Sequence, residues 1–585
     1  MAGGSTRIRL RPVVGTERVW MGDDIDPRLE VEPGDALDAS LRWVAHVDDP
    51  AHRRRLALRA VTTAVRTGGV HRLKPHSDLL TGLDDAILDL VDAADALHSG
   101  DRRGAEVLLD GVVGSALRLD AEAVVLAAQV AADATVQAAS SASWADAVAG
   151  VDRTTRLLEG LDDLTEDSAR SDGRSREDVL SGIRFDLRGV SALVEFHTSR
   201  APSAPSAALE ALTTALAPAR SARMLGAVHG FALLAQGSVL DGRRELRGAA
   251  SSLSAALPLL APARPALARW ARAELALVRA RQGRWEEARI LAEQLAEPSE
   301  VDAVPDHLVP AVRAVMAALG GRLGESLRLA RSVPTSAPHP IPFIASTLAS
   351  HALVAGSIGR NDWAALHDTL DDIEQQQHRT VFDETEWTAL RALALWHLDR
   401  LDEYRALHAL WARSAVADSA YCLVHSAILA RIDGQTAETL RLTQLAVDAL
   451  DRDYDPLGRT WVRIVAGTHV SLLGDPVEGL THYEDARAEL LTLGAEGFAA
   501  LCTGIIRSTS DALAERSGDV LAALTDQQRR VAQLVAEGHT SAEIGGMLHL
   551  SRKTIDFHVA NILVRLDLRT RREITRMLRA ERPGG

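Results

Sequence analysis

The sequence predicts an all-α protein in which a long α-solenoid precedes a small four-helix domain. From about Leu90 to Leu513 the apolar residues recur with helical spacing, and the alternation typical of strands is scarce. Within that stretch a short joint containing Gly or Asp returns at nearly constant intervals, as in stacked pairs of antiparallel helices. The last 62 residues have their own helix-capping signals and apolar pattern, which predict a separate domain.

The joints are most distinct at residues 283–288 (Gly-Arg-Trp-Glu-Glu-Ala), where a glycine precedes acidic residues. Glycine accepts the left-handed conformation that ends a helix, and carboxylates stabilise the first turn of the next one. Five further joints follow at spacings of 38, 38, 40, 35 and 40 residues, beginning at Gly321, Gly359, Asp399, Gly434 and Gly474. Two similar segments begin earlier, at Gly100 and Gly242. This period, with two helices per unit, predicts an α-solenoid.

The joint at residues 283–288 resembles that of tetratricopeptide repeats, although the period is longer than in that family. We therefore describe residues 86–513 as tetratricopeptide-like helical repeats. They are expected to offer a concave surface to a peptide, a protein or a small effector, the alternative being a helical array without a ligand. Residues 514–523 are predicted to be a linker. Residues 1–85 stay unassigned and partly helical, with a strand-like alternation at residues 7–11.

Charge is distributed unevenly along the chain. The whole sequence has a formal net charge of −15, but residues 524–585 contain 11 Lys and Arg against 7 Asp and Glu, a net charge of +4. The preceding 523 residues therefore carry −19. A basic segment attached to an acidic body is typical of a nucleic-acid-binding module joined to another domain.

The composition also argues against several other function classes. Lys74 and Lys553 are the only lysines and neither follows a Gly-rich turn, so the sequence has no nucleotide-binding P-loop. The histidines form no His-Glu-x-x-His run and no Gly-x-Ser-x-Gly elbow occurs, so we expect no metal, no cofactor and no enzymatic activity. Cys422 and Cys502 lie in apolar helical patterns, and no apolar run reaches the length of a membrane span. These features favour a cytoplasmic protein.

The C-terminal segment predicts four helices, with a tight turn between the second and the third. Thr525 or Asp526 caps the first helix and Gly538 ends it. Residues 540–543 (Thr-Ser-Ala-Glu) form a capping box, which starts a short second helix. Ser551 is placed to cap the third helix.

The third helix is predicted to be amphipathic. One stripe is expected to face the core of the domain and consists of Ile555, Val559, Ile562, Leu563 and Leu566. The opposite face holds Lys553, Asp556, Phe557, Ala560 and Val564, with Asn561 beside it. Because this outer face is thinly charged and carries small or apolar side chains, we expect it to enter the major groove of double-stranded DNA.

This segment resembles the LuxR-type (GerE-like) helix-turn-helix domain over about 60 residues. The residues that carry the resemblance are Leu524, Thr525, Leu534, Gly538, Glu543, Ile544, Leu548, Ser551, Thr554, His558, Ile562, Leu566 and Arg571. The resemblance implies a scaffold helix at residues 541–548 and a recognition helix at residues 552–566. It also implies that the last helix, residues 571–579, forms a homodimer on DNA and that the protein recruits RNA polymerase.

The residues expected to contact DNA fall into two groups. Base contacts are expected from Lys553, Asp556, Phe557, Ala560 and Asn561. Phosphate contacts are expected from Thr540, Arg552, Thr554, Arg565, Arg569, Arg571 and Arg572. Lys553 can also anchor a phosphate, so about six basic side chains are expected to neutralise phosphates. The sequence departs from the family pattern at Asp556 and Ala560, where basic or polar residues are common, and at Gln528, where Glu is usual. The first two departures affect the expected DNA sequence preference rather than the fold.

The overall plan resembles that of large LuxR-type regulators with helical repeats before the DNA-binding domain, here without their ATPase module. We therefore predict a transcriptional regulator whose repeats bind an effector or a protein partner. The acidic repeats and the basic tail motivate a further hypothesis, in which the repeats mask the tail or block dimerisation until a ligand binds. The alternative is a protein-interaction scaffold whose basic tail binds another protein.

Overall fold

In the computed structural model, the described residues are helical almost throughout. The structure describes residues 37–580 apart from 39–40, 42–43, 46, 48, 68–69, 117–120, 166–172, 199–205, 223, 263, 297–306, 335–342, 376–383, 415, 451–455 and 518. Regular structure in these residues is helical, with one isolated bridge between Thr81 and Leu83. The predicted all-α class is confirmed. The alternating run at residues 7–11 lies outside the described residues.

Contacts divide the chain into two compact units. The first contains the residues up to Val194, together with Ala207–Ala235 and Ala255–Ala268. The second contains Glu195–Ser206, Gln236–Ser254 and everything from Arg269 onward.

The helices before the second half of the chain are α1 (Pro50–Thr67), α2 (Asp85–His98), α3 (Arg102–Ala116), α4 (Ala121–Ser140), α5 (Trp144–Thr165), α6 (Gly173–Thr198), α7 (Ala207–Ser221), α8 (Gly230–Gly242) and α9 (Leu246–Leu260). The repeats then continue with α10 (Pro265–Arg281), α11 (Trp285–Leu295), α12 (Leu308–Leu319), α13 (Leu323–Arg331), α14 (Phe343–Gly359), α15 (Trp363–Gln375), α16 (Glu384–His397), α17 (Leu401–Trp411), α18 (Ala420–Ile432), α19 (Thr436–Asp448), α20 (Pro456–Leu473), α21 (Pro476–Thr492) and α22 (Glu496–Ser517). Four shorter helices follow: α23 (Asp526–Ala536), α24 (Ser541–Leu548), α25 (Arg552–Arg565) and α26 (Arg571–Ala580).

Every joint identified in the sequence lies at a turn between two helices. Gly283 has a φ of +74°, and the Arg284 backbone N–H donates to the carbonyl of Arg279 at 2.8 Å, which closes the end of α10. At two joints without a left-handed glycine, Asn361 (φ 54°) and Asp399 (φ 57°) adopt the same conformation. Asn and Asp tolerate left-handed backbone better than other side chains, so the turn survives the loss of glycine.

Successive helix pairs share their apolar core. Tyr404 of α17, Ile428 of α18 and Val462 of α20 belong to one buried cluster. Each pair therefore buries its apolar face against the next pair, as in a repeat protein whose units cannot fold alone. The described repeats form a tetratricopeptide-like α-solenoid, as predicted.

Helix α4 is long and apolar enough to cross a membrane by length and composition alone. In the structure, 78% of its apolar window is buried inside the protein. Its burial is that of a core helix, because Ala127, Ala131 and their neighbours pack into the main apolar cluster of the first unit.

The segments at the predicted boundaries are also ordered into helices. Residues left unassigned before 86 include α1 and two 3-10 turns, Val70–Arg72 and Lys74–Leu80. At the predicted linker, α22 continues to Ser517 and a further 3-10 turn spans Val520–Ala523. The connection to the last four helices is therefore short and largely helical.

Candidate nucleic-acid interface

The last four helices pack around one apolar core. Its buried members are Leu524, Val531, Ala532, Val535, Ile544, Ile555, Val559, Ile562 and Ile574. Leu563 and Leu566 pack against this core at partial exposure. The apolar stripe predicted for α25 therefore faces inward. Contacts outside this core determine whether the opposite side of that helix is exposed or covered.

Shortening a side chain of this core should destabilise the domain. Ile562 is fully buried, so we expect Ile562→Ala to cost about 2–5 kcal/mol through lost burial and a residual cavity. Faster amide hydrogen exchange throughout α25 and α26 would report the loss. Lys553→Ala, at an exposed position of the same helix, is the control and should change exchange little. Equal effects from both substitutions would contradict the assignment of the core.

The turn between α24 and α25 is built from local side-chain caps. The Thr540 hydroxyl accepts from the Glu543 backbone N–H at 3.3 Å, and the Glu543 carboxylate accepts from the Thr540 backbone N–H at 2.7 Å. His549 ends α24 in the left-handed conformation, and the Ser551 hydroxyl accepts from the Thr554 backbone N–H at 3.0 Å. Both capping signals predicted for this turn are therefore confirmed, and they set the angle at which α25 leaves the turn.

Most of the side chains expected to contact bases are exposed. Lys553, Asp556, Phe557 and Ala560 all lie on the solvent side of α25, in its first nine residues. Phe557 is 38% exposed although it is a large apolar side chain, and no core cluster of the domain includes it. The Asp556 carboxylate lies 3.7 Å from the Arg552 guanidinium, which offsets part of the negative charge on this face.

The residues expected to contact phosphates differ in their surroundings. Arg552, Arg569 and Arg572 are exposed. Thr540 and Thr554 belong to the caps around the turn. Arg571 is half-buried, because its guanidinium donates to the Ser541 hydroxyl at 3.0 Å and to the His539 carbonyl. It joins α26 to the start of α24, so its side chain is already engaged within the domain.

Two predicted DNA contacts are buried, and one of them, Arg565, lies against the repeats. Asn561 is 1% exposed and Arg565 is 2% exposed. Val564, which the sequence placed on the outer face, is also buried, in a cluster with Leu480 and Ile506 of the last repeat helices. Sequence periodicity locates the side of α25 that faces its own domain, but it carries no signal for a second surface formed by α21 and α22. The expectation of solvent-facing side chains is corrected at these positions.

A buried ion pair holds this contact. The Arg565 Nε donates to the Glu484 carboxylate of α21 at 2.5 Å, and Arg565 Nη1 donates to the Ala523 carbonyl. The Gln528 Nε2 donates to both oxygens of Glu484, at 3.2 and 3.1 Å. Burial raises the pKa of Glu484, while the hydrogen bond and the charge of Arg565 act in the opposite direction. We call Glu484, Gln528 and Arg565 the docking triad.

Sequence reasoning missed Glu484 but noticed its partner. Gln528 departs from the Glu that is usual in the family at this position. A glutamate at 528 would place a second carboxylate against the buried Glu484, whereas the Gln amide donates to it. Gln528 in place of Glu is therefore the signal in the sequence that a carboxylate lies against this side of the domain.

Comparison with known families agrees with this architecture. Residues 522–578 match the model described as bacterial regulatory proteins, luxR family. The C-terminal domain is a LuxR-family domain. The match covers helices α23 to α26, about a tenth of the chain. It therefore identifies the family of the C-terminal domain and not that of the repeats.

The LuxR-type domain is also similar to part of a curated protein from Escherichia coli (strain K12), named "Uncharacterized response regulatory protein YgeK". The two are 44% identical over 45 residues, which is 8% of this chain and 31% of that protein. The chain thus spans about a third of the relative's length. Among solved structures, the crystal structure of the APC/C hetero-tetramer Cut9-Hcn1 aligns with 86% of this chain and 98% of that chain, at 12% identity and a TM-score of 0.34.

Other chemistry has little support in the described part of the chain. No group of three or more His, Cys, Asp or Glu side chains there could hold a metal ion. Cys422 and Cys502 are both free and buried, and burial raises the pKa of each thiol to about 11. Neither thiol is therefore prepared to act as a nucleophile at neutral pH.

Proposed function

We propose that this protein is a transcriptional regulator that binds double-stranded DNA by placing the first half of α25 in the major groove. The observation that carries the proposal is the exposed face formed by Lys553, Asp556, Phe557 and Ala560 on a helix whose other sides are buried. Residues near the N-terminus of a recognition helix are the ones that reach base edges in helix-turn-helix domains. The LuxR-family match supports the same function.

The other parts of the domain take supporting roles in this proposal. Arg552, Lys553, Arg569 and Arg572 neutralise phosphates, and Thr540 and Thr554 orient the turn beside the backbone of the duplex. Helix α26 joins two copies on DNA, and the bound regulator contacts RNA polymerase. The helical repeats bind an effector or a protein partner, and no cofactor or catalytic step is needed.

The repeats restrain the domain through the docking triad. The Lys553–Ala560 face is not covered by the repeats. Of the residues expected to contact DNA, the masking expected from charge therefore applies to Arg565, which the repeats bury. Among the described residues, Nη2 of Arg565 and Nδ2 of Asn561 have no acceptor, and an unpaired buried donor costs about 1–3 kcal/mol. The docked state therefore leaves two buried hydrogen-bond donors without acceptors, which lowers its stability. A contact of limited stability is one that DNA binding or an effector can release.

Substitutions on the exposed face test the DNA-binding function. We expect Phe557→Ala to reduce discrimination at one base position by about 1–3 kcal/mol while random duplex is bound as before. Arg572→Ala should instead weaken binding to all sequences and reduce the slope of log affinity against log salt by about 0.9. Titrations of target and random duplex at several salt concentrations measure both effects.

Arg441→Ala is the matched control for these substitutions. Arg441 is an exposed arginine of α19 in the repeats, where it pairs with Glu438. Its removal should leave DNA affinity unchanged. If all three variants bind DNA like the unmodified chain, and salt has no effect on binding, the basic tail serves a protein partner and the DNA-binding proposal fails.

A further inference from the structure

The last helix pair of the repeats is packed on two sides. On one side, α21 and α22 carry the surface that buries Val564 and Arg565 of the DNA-binding domain. On the other side, Trp285 at the start of α11 packs into an apolar cluster that includes Leu490, Ala499 and Cys502. About 200 residues of sequence separate Trp285 from its partners, so this contact ties an early repeat of the second unit to the last one.

The same contact brings two backbones together without side chains between them. A Cβ on Gly497, near the start of α22, would lie 2.3 Å from the Cα of Gly321 in the turn between α12 and α13. Gly283 lies against Leu493 in the same way, since a Cβ there would be 2.7 Å from that side chain. We call the contact of Gly283, Trp285 and Gly321 with residues 490–502 the seam.

Packing is continuous from the seam to the DNA-binding domain. Ile464 of α20 packs against the seam cluster and also against the cluster that contains Val564. Leu480 and Tyr483 lie in that second cluster, on the same helix as Glu484. Tyr483 and Glu484 are within about two turns of Leu490 on that helix. A displacement of α21 at the seam is therefore transmitted to Glu484 through a rigid helix and a close-packed interior.

We propose that the seam controls the docking of the DNA-binding domain, a regulation that rests on the function proposed above. When the seam is closed, α21 holds Glu484 within hydrogen-bond distance of Arg565 and Gln528. When it opens, the buried pair loses its geometry, since such bonds weaken within a few tenths of an ångström. Arg565 then returns to solvent, where it is free to contact DNA.

Gly497→Ala is the variant that opens the seam. The added methyl group meets backbone atoms of Gly321, which no rotation of a side chain can move away. Gly497 has no left-handed backbone, so alanine strains α22 nowhere else. Gly504→Ala is the matched control, because it makes the same substitution in the same helix at a position where a Cβ meets nothing within 4 Å. Trp285→Leu opens the seam in a second way, because it removes apolar packing and adds no atom that would collide with the backbone of Gly321.

Amide hydrogen exchange of residues 561–565 and affinity for DNA are measured in the full chain. We expect Gly497→Ala and Trp285→Leu to accelerate hydrogen exchange at residues 561–565 and to increase the affinity for DNA. Each change should lie between about twofold and thirtyfold, which is the range of effects that mutations have on the coupling between two sites. Gly504→Ala should match the unmodified chain.

Unchanged exchange at residues 561–565 in both seam variants would overturn the inference, whatever the chain binds. If exchange rises in both but DNA is not bound, the seam controls docking as inferred and the proposed function fails instead. The two hypotheses are therefore separated by the same pair of measurements.

Discussion

Replacing Glu484 by Gln is expected to release the C-terminal domain from the repeats. The substitution leaves the Arg565 guanidinium buried without its counter-charge, and removing one partner of a buried ion pair costs about 3–5 kcal/mol. That cost falls on the docked state, because Arg565 regains water once α25 separates from α21 and α22. Hydrogen exchange of residues 561–565 should accelerate by about two orders of magnitude or more, while Ile555 and Ile562 keep the domain folded.

Gln528→Glu provides an independent test of the same contact. It restores the residue usual in LuxR-type domains and keeps an N3 side chain able to complete the capping box with Thr525. It also places a second carboxylate beside Glu484, so it should release the domain without altering the DNA-contacting face. Asp485→Asn removes one charge at the exposed neighbouring position and should have no such effect. Release by Asp485→Asn, or no release by either triad variant, would contradict the role given to Glu484.

DNA binding by the intact chain should depend on salt as expected for four neutralised phosphates, rather than for the six basic side chains that the sequence alone assigns to phosphates. Arg552, Lys553, Arg569 and Arg572 are exposed, whereas Arg565 is buried and Arg571 is held by Ser541 and His539. Four neutralised phosphates give a slope of log affinity against log salt of about −3.6. Affinity should then fall about 10²-fold between 50 and 200 mM salt.

The Glu484→Gln variant should show a steeper dependence than the intact chain. Freed Arg565 adds one phosphate contact, which changes the slope by about −0.9 and the loss over the same salt range to about 500-fold. When Arg565→Ala is added to Glu484→Gln, the slope of log affinity against log salt should return to the value of the intact chain. Equal slopes for the intact chain and Glu484→Gln would contradict the expectation that loss of the Glu484 carboxylate adds a phosphate contact by Arg565.

Local signals in the sequence predicted much of the candidate site. The capping box of Thr540 and Glu543, the cap at Ser551 and the inward stripe of α25 depend on residues three or four positions apart. Such interactions are set by the geometry of a single helix and are therefore visible in the sequence. The same holds for the repeat joints, where backbone conformation at residues such as Gly283 is a local property.

Contacts between distant segments could not be predicted in this way. Arg565 has the spacing and charge of a phosphate contact. It forms an ion pair instead, because the fold brings it against Glu484, which lies 81 residues earlier in the sequence. Arg571 likewise has the type and spacing of a phosphate ligand, yet it holds the His539 carbonyl. In both residues a guanidinium that suits phosphate also suits a carboxylate or a carbonyl, so residue type does not decide between them.

Periodicity, caps and turn residues act over a few positions, and they were enough to predict a helical chain, repeats recurring near every 38 residues and a LuxR-type domain after them. Which faces of that domain are exposed depends instead on contacts between segments that are distant in sequence. The Lys553–Ala560 face stays in solvent, Val564 and Arg565 lie against α21 and α22, and Asn561 is buried. The physical reason is that burial depends on which surfaces meet, and the pairing of Glu484 with Arg565, like that of Gly321 with Gly497, exists only once the repeats have stacked.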